Sequence, residues 1–297
     1  MKTAAGVKYT PGENIFAVFN YAFIGLISLM CLYPMMYVLF ASFSDNSLLM
    51  QHEGILLRPL GFSINAYDKV FQNPMILLGY RNTLFLLVVG VLVSLLMTSL
   101  GAYFLSRKQV FFKMPIMMLI TFTMFFSGGM IPFYLNLRDL HLTNTLWGLI
   151  IPFAISTYNM IILRTSFAAI PDSLTEAALI DGAGHVRILF SIILPLSKAI
   201  LAVMILYYGI GIWNSWFWAS AILRKRELYP LQVILREILL QNSAVAMSTG
   251  VDTGDQESVA ATIKYATIIV ATVPVLCIYP FLQKYFTRGV MIGAVKE

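Results

Sequence analysis

The sequence predicts an all-α membrane protein with six transmembrane helices. Hydrophobic residues make up 59% of the chain and charged residues only 11%, whereas soluble domains carry roughly a quarter charged residues. Long runs without Asp, Glu, Lys or Arg can each supply the ~20 apolar residues that span a bilayer as a helix. These runs are 14–44, 82–106, 114–137, 140–163, 199–223 and 265–283.

The runs predict spans near 18–42, 83–105, 113–134, 144–166, 199–223 and 264–285. We interpret the first as a retained span, because its apolar stretch exceeds the ~7–15 residues of a signal-peptide core. Six spans place both termini on one side of the membrane. The short segments on that side carry a slight excess of basic residues, so we expect both termini to be cytoplasmic.

The connections divide the chain into two parts. Residues 1–80 form an N-terminal segment with the first span and a long outer loop, and residues 81–297 form the core. A second long outer loop covers 224–263. It predicts an amphipathic helix after Pro230 and a polar tip near 243–258.

Several function classes lack support in the sequence. The net charge of +6 fits membrane topology, and no basic segment with interleaved aromatic residues predicts nucleic-acid binding. The three histidines are scattered and both cysteines fall inside spans, so no metal site is predicted. No GxxxxGK[ST] loop is present, so this chain is not predicted to bind ATP or to need a cofactor.

A polar block, EAALIDGAGHVRILFSIILPLSKAI at 176–200, interrupts the apolar pattern between spans four and five. Ser173 and Glu176 predict a capping box. Gly182 and Gly184 predict a left-handed helix end, and a second helix from Val186 to Pro195 should follow. The local residues alone would equally suit an ordinary amphipathic connector.

The spacing of this block resembles the EAA loop of ABC importer permeases. The matching residues are Glu176, Ala177, Ala178, Gly182, Ile192, Leu194 and Pro195. The segment FFSGGMIPFYLNLRDLHLTNTLWGLIIP at 125–152 is similar to the LplC-like group of the carbohydrate-uptake, maltose-type family. The resemblance covers roughly 80–297, and Ala199 departs from it where many relatives have proline.

This resemblance implies a maltose-type permease fold in a bacterial cytoplasmic membrane, with segment 171–198 as the element that couples to a cytosolic ATPase dimer. ATP and Mg would be bound by that ATPase. A second homologous permease and an extracytoplasmic sugar-binding protein are the other implied partners. We expect the outer loop 224–263 to contact this binding protein. The implied coupling residues are Glu176, Ala177, Ala178, Asp181, Gly182, Ala183 and Gly184, and the implied tail contacts are Gly289, Gly293 and Lys296.

Aromatic and amide side chains in spans four and five suit a sugar path, because apolar ring faces stack on sugar C–H surfaces. The candidates are Tyr158, Asn159, Tyr207, Trp213, Asn214, Trp216 and Trp218. An aromatic belt at the membrane interface or hydrogen bonding between helices explains the same residues. An ion-coupled secondary transporter is the main alternative, but such carriers usually place ionisable residues inside their spans.

Overall fold

The computed structural model describes residues 10–248, 262–278 and 280. Within these ranges the chain is mostly helical, and β-type pairing is limited to an isolated bridge between Ser44 and Phe62. The helices are α1 (Pro11–Ser42), α2 (Asn46–Met50), α3 (Asn65–Gln72), α4 (Pro74–Ser106), α5 (Lys113–Phe125), α6 (Met130–Asp139), α7 (Thr157–Ala168), α8 (Asp172–Ile180), α9 (His185–Leu196), α10 (Lys198–Trp213), α11 (Trp216–Ile222), α12 (Leu231–Ser248) and α13 (Thr262–Ile278).

The chain forms two compact units. One comprises 1–72 with 238–270, and the other comprises 73–237 with 271–297. The sequence-based division into residues 1–80 and residues 81–297 stays a prediction.

Helix α1 begins at a capping box in which Thr10 and Glu13 each accept a hydrogen bond from the other's backbone amide. Against the described part of the chain, only Ala41 and Ser42 of this helix are buried. An apolar helix that exposes most of its surface in this way fits contact with lipid. In the same unit, Tyr37 meets Tyr265 edge to face with ring centroids 5.8 Å apart.

Helix α4 is the central helix of the second unit and packs against both α7 and α10. Asn73 caps it by accepting a hydrogen bond from the Met75 amide at 3.0 Å, and Pro74 occupies the first turn. This start lies nine residues before the predicted one at 83. Gly79 allows a close approach, because an added Cβ would stand 3.1 Å from Leu231 Cα.

The third apolar run is broken, so a single helix over 113–134 was a wrong prediction. Helices α5 and α6 meet at 113°. Gly129, the residue that precedes α6, has φ +87°. No α-helix contains this backbone conformation, and glycine adopts it without steric cost.

The fourth and fifth runs are also broken, which corrects the predictions of continuous helices over 144–166 and 199–223. In the fourth, a 3₁₀ turn at Leu146–Leu149 is separated from α7 by a segment with Pro152, which cannot donate a helical hydrogen bond. In the fifth, α10 ends before Asn214, whose side-chain amide donates to the Ile210 carbonyl at 3.0 Å. Such side chains compete with helical bonding.

In the described residues, α1 and α4 are long and apolar enough to cross a membrane. The bent pairs α5–α6 and α9–α10 raise this to four if each pair counts as one span. The number of six spans and the orientation of the termini stay predictions. The predicted sixth span, 264–285, is described as α13 up to Ile278, and residues beyond 280 lie outside the described part.

The helix predicted after Pro230 is confirmed as α12, which buries Leu231, Ile234 and Leu235. It continues to Ser248, so the predicted polar tip at 243–258 is helical over its first residues. Residues 249–261 lie outside the described part.

Candidate functional site: an aromatic cavity and the EAA segment

A cavity of about 870 Å³, here called the aromatic cavity, opens beside the breaks in the fourth and fifth apolar runs. Non-helical backbone at membrane depth is tolerated where it lines a cavity, and transporters often bind substrate at such broken helices. Its lining residues are Leu86, Leu149, Phe153, Ser156, Tyr158, Asn159, Tyr207, Tyr208, Ile210, Gly211, Ile212, Asn214, Ser215, Phe217 and Trp218.

Tyr208 fixes one wall of the aromatic cavity. Its hydroxyl lies 2.6 Å from Thr98 Oγ1 on α4 and accepts a hydrogen bond from the Ser156 amide at 3.1 Å. Because α10 is thereby joined to both α4 and the start of α7, the wall is defined by hydrogen bonds as well as by packing.

Trp218 fixes another wall within an aromatic cluster. Its ring centroid lies 4.7 Å from that of Phe133 and 5.8 Å from that of Phe153. Edge-to-face and tilted contacts of this kind hold aromatic rings in a defined orientation. A ring held in this way can present a fixed apolar face to a ligand.

Five of the predicted path residues line the aromatic cavity: Tyr158, Asn159, Tyr207, Asn214 and Trp218. Trp213 and Trp216 do not. Trp213 is only 5% exposed and borders a separate apolar cavity, while the Trp216 ring lies 4.4 Å from the Arg236 guanidinium carbon. Trp213 is the last residue of α10, where helical spacing places it about 200° around the helix from Gly211. Trp216 begins α11, beyond the break at Asn214.

Sequence reasoning missed Phe153, Tyr208 and Phe217 as cavity residues. Tyr208 follows Tyr207 directly, so helical periodicity placed only one of the two tyrosines on the chosen face. Phe153 lies in a non-helical segment where no periodic signal exists. Ser156, noted in the sequence only as part of a polar patch, caps α7 by accepting from the Asn159 amide at 3.4 Å.

The second candidate site is the EAA segment, residues 171–198. Helix α8 ends in a Schellman motif, in which the Ala183 amide donates to the Ala178 carbonyl at 2.9 Å and the Gly182 amide donates to the Leu179 carbonyl at 3.0 Å. Gly182 has φ +80°. The predicted left-handed helix end at Gly182 is therefore confirmed.

Two local predictions for the EAA segment were wrong. Ser173 forms no capping box with Glu176, because α8 begins at Asp172, one residue before Ser173. Pro171 occupies the cap position, and no side chain caps the helix. Gly184 is not left-handed; its φ of −71° and ψ of 160° make it the residue that precedes α9. In addition, Asp181 and Arg187 form no ion pair in the described structure.

The EAA segment presents an exposed face with both polar and apolar groups. Glu176, Ala177, Asp181, Gly182 and Gly184 are exposed, whereas Ala178 is buried at 9% and Ala183 is half-buried. Nearby apolar side chains are also exposed, most strongly Ile180 at 87%. An apolar side chain this exposed beside small residues indicates a surface that another protein can cover.

Hydrogen bonds and an ion pair also join the EAA segment to the end of α4. Arg107 Nη1 donates to Thr175 Oγ1 at 3.0 Å, and the Tyr103 hydroxyl lies 3.2 Å from His185 Nδ1. Lys108 Nζ pairs with Asp172 at 2.7 Å. The hydrogen bond in this pair lowers the pKa of Asp172 and raises the pKa of Lys108.

A family model described as the binding-protein-dependent transport system inner membrane component matches residues 12–292. The chain belongs to this family. The resemblance to carbohydrate-uptake ABC permeases is therefore confirmed, and the protein is a transporter permease rather than an enzyme.

The permease is similar to two curated proteins of Bacillus subtilis (strain 168). The polygalacturonan/rhamnogalacturonan transport system permease protein YtcP is 39% identical over 289 residues, which cover 96% of this chain and 99% of YtcP. Protein LplC is 38% identical over 291 residues, which cover 97% of each chain.

Among solved structures, the permease resembles a chain of a bacterial ABC transporter involved in the import of the acidic polysaccharide alginate. The TM-score is 0.85 at 35% identity, over 94% of this permease and 99% of that chain. The described helices thus have an ABC permease fold. The predicted tail contacts Gly289, Gly293 and Lys296 lie outside the described residues and stay predictions.

Proposed function

We propose that this permease forms half of the translocation path of an ATP-driven importer for an oligosaccharide or polysaccharide fragment. The observation that carries the proposal is the EAA segment, which is hydrogen-bonded to Arg107 at the end of α4 through Thr175 and leaves Glu176 and Ala177 exposed. An exposed element fixed to a membrane helix is what coupling to a separate ATPase requires.

The aromatic cavity supports a saccharide as substrate. Ring faces at Phe153, Tyr207 and Trp218 can stack on sugar rings, and the Asn159 and Asn214 amides can bond hydroxyl groups. Its lining contains no Asp, Glu, Lys, Arg or His among the described residues. The absence of such groups favours ATP-driven import over an ion-coupled carrier, which usually needs them.

The relatives suggest which saccharides to test first. YtcP belongs to a polygalacturonan/rhamnogalacturonan transport system, and the solved ABC transporter is involved in the import of the acidic polysaccharide alginate. We therefore propose uronic-acid oligosaccharides as first test substrates, with neutral oligosaccharides of equal length as the comparison.

The proposed partners are a second, homologous permease, a cytosolic ATPase dimer that holds ATP and Mg, and an extracytoplasmic sugar-binding protein. Glu176 would face the ATPase; it lines a cavity of about 520 Å³ with Arg107 and His185. The loop 224–263 would face the binding protein, because it joins the fifth and sixth apolar runs on the proposed outer side of the membrane. The proposed setting is a bacterial cytoplasmic membrane with six spans.

The test is ATP-dependent uptake by the complete complex in proteoliposomes, with the variant Glu176→Lys. Reversing this exposed charge should lower uptake strongly while the protein remains in the membrane. Glu53→Lys is the matched control, because Glu53 is also exposed but lies outside the EAA segment. Equal uptake in both variants at matched protein levels would show that the EAA segment is not the coupling element.

A further inference from the structure

Arg107 bonds to three different elements of the permease. It is the residue that follows α4, and its Nε donates to Ser106 Oγ at the end of that helix at 3.0 Å. Its Nη1 donates to Thr175 on α8 at 3.0 Å, and its Nη2 donates to the Phe167 carbonyl on α7 at 3.2 Å. One side chain thus joins the EAA segment to two membrane helices.

The chemistry of these contacts is specific to arginine. A guanidinium is planar and offers five N–H donors in fixed directions, whereas a lysine ammonium is a single point charge. Ser106, Phe167 and Thr175 are all buried, so water does not readily replace a lost bond. The Tyr103 ring, 5.0 Å from the guanidinium carbon, holds the group from one side.

The two helices that Arg107 joins also line the aromatic cavity, α4 near its middle and α7 in its first turn. Leu86 on α4 lines that cavity about 30 Å from the end of the helix at the helical rise of 1.5 Å per residue. Tyr158 and Asn159 line it at the start of α7. A displacement of α8 that is passed on through Arg107 would therefore reach two walls of the aromatic cavity.

We propose that Arg107 is a positioning residue that transmits movement of the EAA segment to α4 and α7. This inference rests on the proposed function, since it specifies how the ATPase-facing element acts on the substrate path. The Lys108–Asp172 pair also joins α8 to the residues after α4, but the Lys108 side chain is 83% exposed. Exposed ion pairs hold geometry weakly. The Tyr103–His185 hydrogen bond joins α4 to α9 and does not reach α7. Arg107 is therefore the principal link from α8 to both α4 and α7.

The experiment compares variants of the complete complex in proteoliposomes that contain saccharide-loaded binding protein. Saccharide uptake and ATP hydrolysis are measured on the same sample. Arg107→Gln should assemble and hydrolyse ATP, while the saccharide imported per ATP falls about tenfold, within the range of coupling effects for such networks. Arg107→Lys should restore the saccharide imported per ATP only in part. Lysine keeps the positive charge but lacks the planar guanidinium with its N–H donors in fixed directions.

Arg138→Gln is the matched control. Arg138 pairs only with its neighbour Asp139 among the described residues, at 3.2 Å, and is well exposed. Its uptake per ATP should equal that of the unmodified complex.

A second variant, Thr175→Val, removes the acceptor on α8 alone and should lower the saccharide imported per ATP. Combined with Arg107→Gln, it should add little, as expected for residues that act together.

A purely structural role for Arg107 would lower protein level or thermal stability and leave the saccharide imported per ATP unchanged. That result in Arg107→Gln overturns the inference. If Arg107→Gln does not assemble, Thr175→Val decides, and an unchanged ratio there overturns it as well. Lack of ATP-dependent uptake by the unmodified complex would instead overturn the proposed function, and the inference with it.

Discussion

The hydroxyl oxygens of Tyr208 and Thr98 lie 2.6 Å apart in the interior of the permease, where Thr98 is completely buried. Because the Ser156 amide also donates to the tyrosine oxygen, this one hydroxyl connects α4, α10 and the segment before α7. These are the elements that surround the aromatic cavity.

Replacing Tyr208 with Phe should destabilise the permease by roughly 0.5–2 kcal/mol, because two buried polar groups lose their partner. The measurement is thermal or denaturant unfolding in detergent. Thr98→Val removes the same contact from the other side, so the double variant should cost less than the sum of the two single variants. Strict additivity would mean that the hydroxyls do not interact.

Gly182→Ala should destabilise the EAA segment by about 1–2 kcal/mol, because an alanine at φ +80° meets the left-handed penalty. Gly184→Ala is the matched control. Gly184 has φ −71°, and nothing lies within 4 Å of an added Cβ at either glycine. Hydrogen exchange of the 178–188 amides should separate the variants, and similar protection in both would contradict the assignment.

The Lys108–Asp172 pair predicts a weak pH dependence at the acidic end. Its hydrogen bond lowers the pKa of Asp172, so its stabilising contribution is present above the ordinary Asp value of about 3.9. That contribution is lost as the pH falls through the lower pKa of the folded protein.

Lys108→Gln should therefore lower the melting temperature slightly at neutral pH and have no effect at strongly acidic pH. The neutral-pH effect should shrink in high salt, because the pair is exposed. A difference in melting temperature that is constant across the acidic range would contradict this prediction.

Trp218→Ala should reduce saccharide uptake while leaving the permease assembled, because Trp218 lines the aromatic cavity. Trp216→Ala is the control, since this tryptophan contacts Arg236 and does not line the cavity. The measurement is the concentration of saccharide that gives half-maximal uptake, together with the maximal rate. A larger loss in Trp216→Ala would restore the sequence-based assignment that the structure corrects.

Several features were determined by the sequence itself, because they rest on local chemistry or on solvent. The scarcity of charge indicated a membrane protein, and Pro230 with its apolar pattern indicated α12. The turn at Gly182 was predictable because a left-handed residue after a helix is a local requirement that glycine meets at little cost.

Only the tertiary structure decided where the apolar runs break and what surrounds the breaks. A run without charges shows that a segment can enter lipid, but backbone groups freed at Gly129 or Asn214 are tolerated only when neighbouring elements or a cavity satisfy them. Hydropathy does not report those neighbours. The same holds for Arg107, since its acceptors Phe167 and Thr175 lie 60 and 68 residues further along the chain. Folding alone brings them within hydrogen-bonding distance.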